Sequence, residues 1–99
     1  MRRSRDLLPR RHAELEVAEF DDEYVVFDSR CMDVHLIGGL TAVVFDACDG
    51  VSRRSALVDD LVQLLDLDRS SARRMVTDNI EALKLRGLLT GTTSQRRPP

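Results

Sequence analysis

The chain has 99 residues, 42% of them apolar and 4% aromatic, with no Trp and a formal net charge of −2 at pH 7; that supports one domain with one modest aliphatic core. No apolar run approaches the roughly 18 residues needed to cross a bilayer, which excludes a membrane-spanning helix. Residues 12–90 carry 16 acidic and 8 basic side chains while the two ends carry seven arginines and one aspartate, the reverse of the basic folded face that phosphate binders present, so composition disfavours a nucleic-acid partner.

Residues 1–11 have the positive charge of a signal segment but no apolar stretch behind it. They are read as a flexible basic tail of a cytoplasmic protein. Glu14-Leu15-Glu16-Val17 alternates polar with apolar and predicts a strand over 13–20. Asp21-Asp22-Glu23 is a turn: a tight hairpin explains three acids better than a cation site, because no further oxygen ligands follow in sequence. Tyr24-Val25-Val26-Phe27-Asp28 predicts a second strand over 23–28, and Ser29-Arg30 leads into a third, 32–37, within the stretch Cys31–Ile37. There Met32, Val34 and Leu36 share one face, opposite Asp33 and a half-exposed His35.

At Gly38-Gly39 the apolar period changes from two to three-and-four. Leu40, Val43, Val44 and Ala47 mark a helix over 39–48, closed near Gly50. Ser52 is a candidate cap for a second helix over 53–65, whose stripe is Leu57, Leu61, Val62, Leu64 and Leu65. Asp68 or Ser70 caps a third over 69–86, with Ala72, Val76, Ile80 and Leu83 inward, Gly87 as terminator and Leu88-Leu89 folding back. The fold class predicted is therefore α+β, a three-stranded antiparallel sheet followed by a three-helix, winged-helix-like bundle. The domain spans 12–90, and 91–99 form a second flexible tail with nothing to bury.

No catalytic constellation can be assembled. Cys31 and Cys48 are too few for a disulfide framework and fit no zinc spacing. Cys31 and His35 on one extended strand would lie about 13 Å apart, far beyond shared coordination. Gly38-Gly39 lacks the third glycine and the lysine of a phosphate loop. The expectation is a protein that is not an enzyme and uses no metal or cofactor.

The segment Ile37 to Gly50 resembles, without a gap, the motif of PqqD-like proteins, in which Leu-Asn, two residues and a small pair lead into an apolar helix ending Asp-Gly. Ile37 and Gly38 stand at the Leu and Asn positions, Thr41-Ala42 is the small pair, Val44-Phe45 the apolar pair and Asp49-Gly50 the end. The similarity runs from about Leu15 to Leu89 and takes in Gly87-Leu88-Leu89. Gly38 in place of Asn, Met75 where an acid often precedes the helix-three Val, and Asn79 where a large apolar residue is common are departures from the pattern.

The resemblance implies a leader-peptide-binding protein of a ribosomal natural-product (RiPP) pathway, lasso peptides among the products. Its partners would be a precursor leader peptide and a modifying enzyme or protease. It further implies that the leader adds as a strand to the backbone of Cys31, Met32, Asp33, Val34, His35 and Leu36, beside helix three. Two flanks of that helix lie open to such a peptide, one carrying Met75, Asn79, Ala82 and Arg86, the other Arg73, Thr77 and Lys84. The first is preferred because it combines a thioether, an amide, a small gap and a charge. The alternative class is a winged-helix DNA-binding regulator using Arg69, Arg73 and Arg74. The acidic body and the absence of a strand pair after helix three argue against it.

Overall fold

A computed structural model describes residues 6–90. Three strands, β1 (Leu15–Phe20), β2 (Glu23–Asp28) and β3 (Asp33–Gly38), precede three helices, α1 (Gly39–Ala47), α2 (Arg54–Leu65) and α3 (Arg69–Leu85). The sheet is antiparallel throughout, in the order β1-β2-β3, so the α+β class read from the sequence is the fold observed. The expected bounds hold to within two residues for every element.

The register sorts the two faces of the sheet. Val26 stands opposite Val17 and His35, and Tyr24 opposite Glu19 and Ile37. Directly opposed residues share a face, and Val26 and Ile37 are fully buried, so this set looks toward the helices. Phe45 of α1 sits at the centre of the core. The Tyr24 ring meets it edge-on at 6.1 Å and the Arg11 guanidinium lies 5.5 Å from its centroid. Around it pack Leu57, Val58 and Leu61 of α2 and Ala72, Val76, Ile80 and Leu83 of α3, with Leu88 and Leu89 folded back beneath them. The α2 stripe is shorter than its spacing suggests: Val58 is buried and Val62 packs against the core, while Leu64 and Leu65 are exposed.

Helix ends follow local chemistry. Asp68 caps α3, accepting the Ser71 N–H at 3.1 Å and its hydroxyl at 2.7 Å. Ser52, expected to cap α2, does not; its hydroxyl donates to Asp49 at 2.6 Å. The α2 amide of Ser55 donates instead to the Asp6 carboxylate at 3.2 Å. At the far end of α3, Gly87 takes φ +77°. Its N–H donates to the Lys84 carbonyl and that of Leu88 to the Leu83 carbonyl, the paired bonds of a left-handed helix stop.

The largest departure from expectation is the start of the fold. Residues 6–11 belong by composition to a flexible tail, yet Leu8 is 1% exposed and part of the core, and Pro9 is fully buried. The Leu8 N–H donates to Ser52 O at 2.8 Å, Gly50 N–H to Pro9 O at 3.2 Å, and Thr90 N–H to Arg10 O at 2.7 Å. The segment is thereby stitched to the α1–α2 connection on one side and to the chain's last described residues on the other. Residues 1–5 and 91–99 of the expected tails lie outside the described residues.

Candidate functional site

Strand β3 is an edge strand, paired with β2 on one side only. An antiparallel residue points its N–H and C=O to the same side, and neighbours alternate. The Leu36 carbonyl accepts a bond from Arg86 Nη1 at 3.4 Å, so Leu36 directs its polar groups off the free edge. By alternation, Val34 does the same. Asp33, His35 and Ile37 use theirs toward β2, and the open edge therefore offers two donor–acceptor pairs at strand spacing.

The C-terminal end of α3 meets this edge through Arg86. Arg86 spans the gap to β3, and Asn79, on the same side, accepts from Thr41 Oγ1 of α1 at 2.5 Å while donating to Met75 O at 2.8 Å. The opposite flank faces α2, where Arg54 donates to Thr77 Oγ1 and Arg69 pairs with Asp59. Of the two flanks weighed from sequence, the one carrying Met75, Asn79, Ala82 and Arg86 borders β3 and α1. Ala82 and Arg86 are exposed there, and Met75 and Asn79 half-buried. Asn79 is committed to an interhelix bond that its sequence position did not disclose. Arg86 has no carboxylate within ion-pair distance among the described residues.

A clasp not expected from the sequence ties the β2–β3 turn to the end of α3. Arg30 in the β2–β3 turn grips the buried Asp28 carboxylate with Nε and Nη2 at 2.9 and 2.8 Å, and Nη2 also donates to Gly87 O at 2.8 Å. The Arg30 hydrogen bonds hold the Asp28 carboxyl well below the usual carboxylate range. Asp-x-Arg across a hairpin turn was the available signal.

Two of the strand residues assigned to the site are not in the strand. Cys31 and Met32 belong to the turn 29–32, and Met32 has φ +62°, a left-handed geometry that interrupts pairing. The extended edge is Asp33–Gly38. Cys31 donates to Asp33 Oδ2 at 3.3 Å, so Cys31 and His35 no longer share a strand face. His35 turns inward and its Nε2 is buried without a hydrogen-bond partner. Val34 and Leu36 point their side chains outward, 61% and 63% exposed.

Among the described residues no three His, Cys, Asp or Glu side chains converge as metal ligands, and no helix is long and apolar enough to cross a membrane. An open hollow of about 480 Å³ between the β1–β2 turn and α1, lined in part by Glu19, Asp22, Tyr24 and Asp46, is separate from the β3 edge.

No protein-family model and no curated protein matches the chain. One solved structure does: TbiB1 in complex with the TbiA(beta) leader peptide, at 20% identity and a TM-score of 0.75, covering 86% of this chain and 99% of that one. At that identity the likeness is one of fold, and this chain shares the fold of a protein solved with a leader peptide bound.

Proposed function

We propose that this protein is a non-catalytic recognition element of a RiPP pathway, binding the leader of a precursor peptide and presenting it to a modifying enzyme or protease. The observation that carries the reading is the free edge of β3, its Leu36 carbonyl directed outward beside α3, in a chain with the TbiB1 fold. An extended leader would pair with the Val34 and Leu36 backbone, while Met75, Ala82 and Arg86 of α3 border the groove that receives its side chains. Strand addition gives affinity through the backbone, and the α3 border gives selectivity.

Arg86 has a particular part in this scheme. An incoming leader amide takes the Leu36 carbonyl that Arg86 holds in the free protein. The released guanidinium, with no ion-pair partner among the described residues, is then available to an acidic leader side chain.

The test is titration of a fluorescein-labelled cognate leader, followed by anisotropy. Val34→Pro removes an amide that points off the edge and takes no part in the β2 ladder, so the fold tolerates it while leader binding is lost. Arg86→Ala is expected to weaken binding by about 5- to 30-fold, the cost of losing one flanking contact. If folded Val34→Pro binds like the parent and Arg73→Ala or Arg74→Ala abolishes binding, the leader does not add to β3.

A further inference from the structure

The face of the sheet turned away from the helices is unusual for a protein of this size. Its outward residues follow from the register: Ala18 and Phe20 of β1, Val25 and Phe27 of β2, Val34 and Leu36 of β3. Phe20, Val34 and Leu36 are 68%, 61% and 63% exposed. An antiparallel sheet with one solvated face normally alternates apolar-in with polar-out. Here the outward set is apolar on all three strands, and its polar members are Glu16 and Glu23. A contiguous apolar patch across three strands marks an interaction surface.

The charge around the patch selects its occupant. From Leu15 to Gly38 the chain has seven acidic residues, one arginine and no lysine; by the register Glu16, Glu23 and the Asp21-Asp22 turn frame this face, while Glu19, Asp28 and Asp33 lie on the helix side. That arginine, Arg30, is bound to Asp28 and Gly87 on the helix side. A second copy of the chain would bring acid against acid, which electrostatic complementarity opposes. We propose that the outward sheet face docks a second protein through an amphipathic helix whose apolar stripe is framed by lysines and arginines. The apolar stripe covers Phe20, Val25, Phe27 and Leu36, and the basic frame meets Glu16, Glu23 and the Asp21-Asp22 turn. This surface lies on the sheet's flat side, distinct from the β3–α3 gap, so both can be occupied together.

The probe is a labelled 18-residue Leu/Lys amphipathic helix, compared by anisotropy with a Leu/Glu helix of the same apolar pattern. The Leu/Lys helix is expected to bind at least about tenfold tighter, and to weaken as salt rises. Phe20→Ser with Leu36→Ser should weaken it by about tenfold or more, since both are large, exposed apolar members of the patch. Glu16→Lys with Glu23→Lys should do likewise through charge alone. Leu64→Ser with Leu85→Ser, exposed leucines elsewhere, should change it less than about twofold. Equal binding of the two helices, or retention of binding by both sheet-face double variants, overturns the proposal. So does a parent dimer in sedimentation that Phe20→Ser dissolves, because the occupant would then be a second copy. Phe20→Ser is also expected to leave leader titration unchanged, as it lies two strands from the β3 edge. Loss of leader binding in that variant would assign the face to the leader site instead, and failure of the leader to bind the parent would leave this test intact.

Discussion

Replacing Leu8 with alanine probes whether the opening segment is part of the fold. Leu8 is 1% exposed and packs in the core. Removing its three outer carbons forfeits about 2.4 kcal/mol at about 0.8 kcal/mol per methylene. The cavity left behind adds to this, since residues 7–11 are pinned by bonds to Ser52, Cys48, Gly50 and Thr90 and cannot collapse freely. The expected cost is therefore about 3–5 kcal/mol, against a total stability of about 5–15 kcal/mol for a domain this size. Urea denaturation followed by circular dichroism measures it. With a slope of about 1–1.5 kcal/mol per molar, the midpoint should fall by about 2 M or more. Leu64→Ala, at a position 74% exposed, is the control and should cost no more than about 0.5 kcal/mol. A loss in Leu8→Ala no larger than the control would refute the docking of this segment.

Gly87→Ala forces a side chain into φ +77° at the end of α3 and should cost about 1–2 kcal/mol in the same assay; an unchanged midpoint would contradict that geometry. Acid should unfold the protein through its paired carboxylates. The Ser52 hydroxyl and the Ser52 and Val51 amides hold Asp49 down at about 2, and Arg30, Ser71 and Ser55 lower Asp28, Asp68 and Asp6. Because these groups bind protons more readily when unfolded, their contribution is full above about pH 4 and is lost as pH falls toward about 2; a urea midpoint flat across that window would contradict it. Thiol titration of the native protein should count one cysteine: Cys31 is exposed, whereas Cys48 is buried and its thiol is pushed up to about 11 by burial. Two fast-reacting thiols would show that the core does not cover Cys48. Arg30→Ala opens the clasp between the β2–β3 turn and Gly87, and is expected to weaken leader binding about fivefold without touching the leader; parent affinity in a folded variant would show that the clasp does not set the gap.

Much of this architecture was legible because local rules and tertiary packing agree. The change of period at Gly38-Gly39 marks the passage from sheet to bundle, and Asp68 and Gly87 bound α3 by chemistry that acts within a few residues. What escaped depended on distant partners. Leu7-Leu8 stands among Asp6, Pro9 and the five arginines of residues 1–11, so it reads as part of a charged tail until α1 and α2 are placed to receive it. Val34 and Leu36 could be put on one strand face but not on the solvent face. Adjacent apolar Leu36 and Ile37 leave that choice open, and only the burial of Ile37 decides it. Met32 looked like the first strand residue, but its left-handed backbone is set by a four-residue turn whose length cannot be read from composition. Helical spacing and its amide put Asn79 on the flank expected to meet a peptide, but its bonding partner Thr41 lies on another helix and could not be read from α3 alone.

The hydrogen bonds that join His12 to Leu88 and Thr90 to Arg10 bring the lead-in to β1 beside the last of the described residues. A domain with adjoining ends behaves as a cassette: it can be spliced into a loop of a larger polypeptide, or closed head to tail and reopened elsewhere, with little strain on its interior. A permutant with Thr90 linked back to the start of the segment and new ends at the Asp66-Leu67 turn would retain the β3 edge unaltered. Tethered in that way to a processing enzyme, the same sheet could be oriented freely, because neither Asp6 nor Thr90 belongs to the strand offered to the peptide.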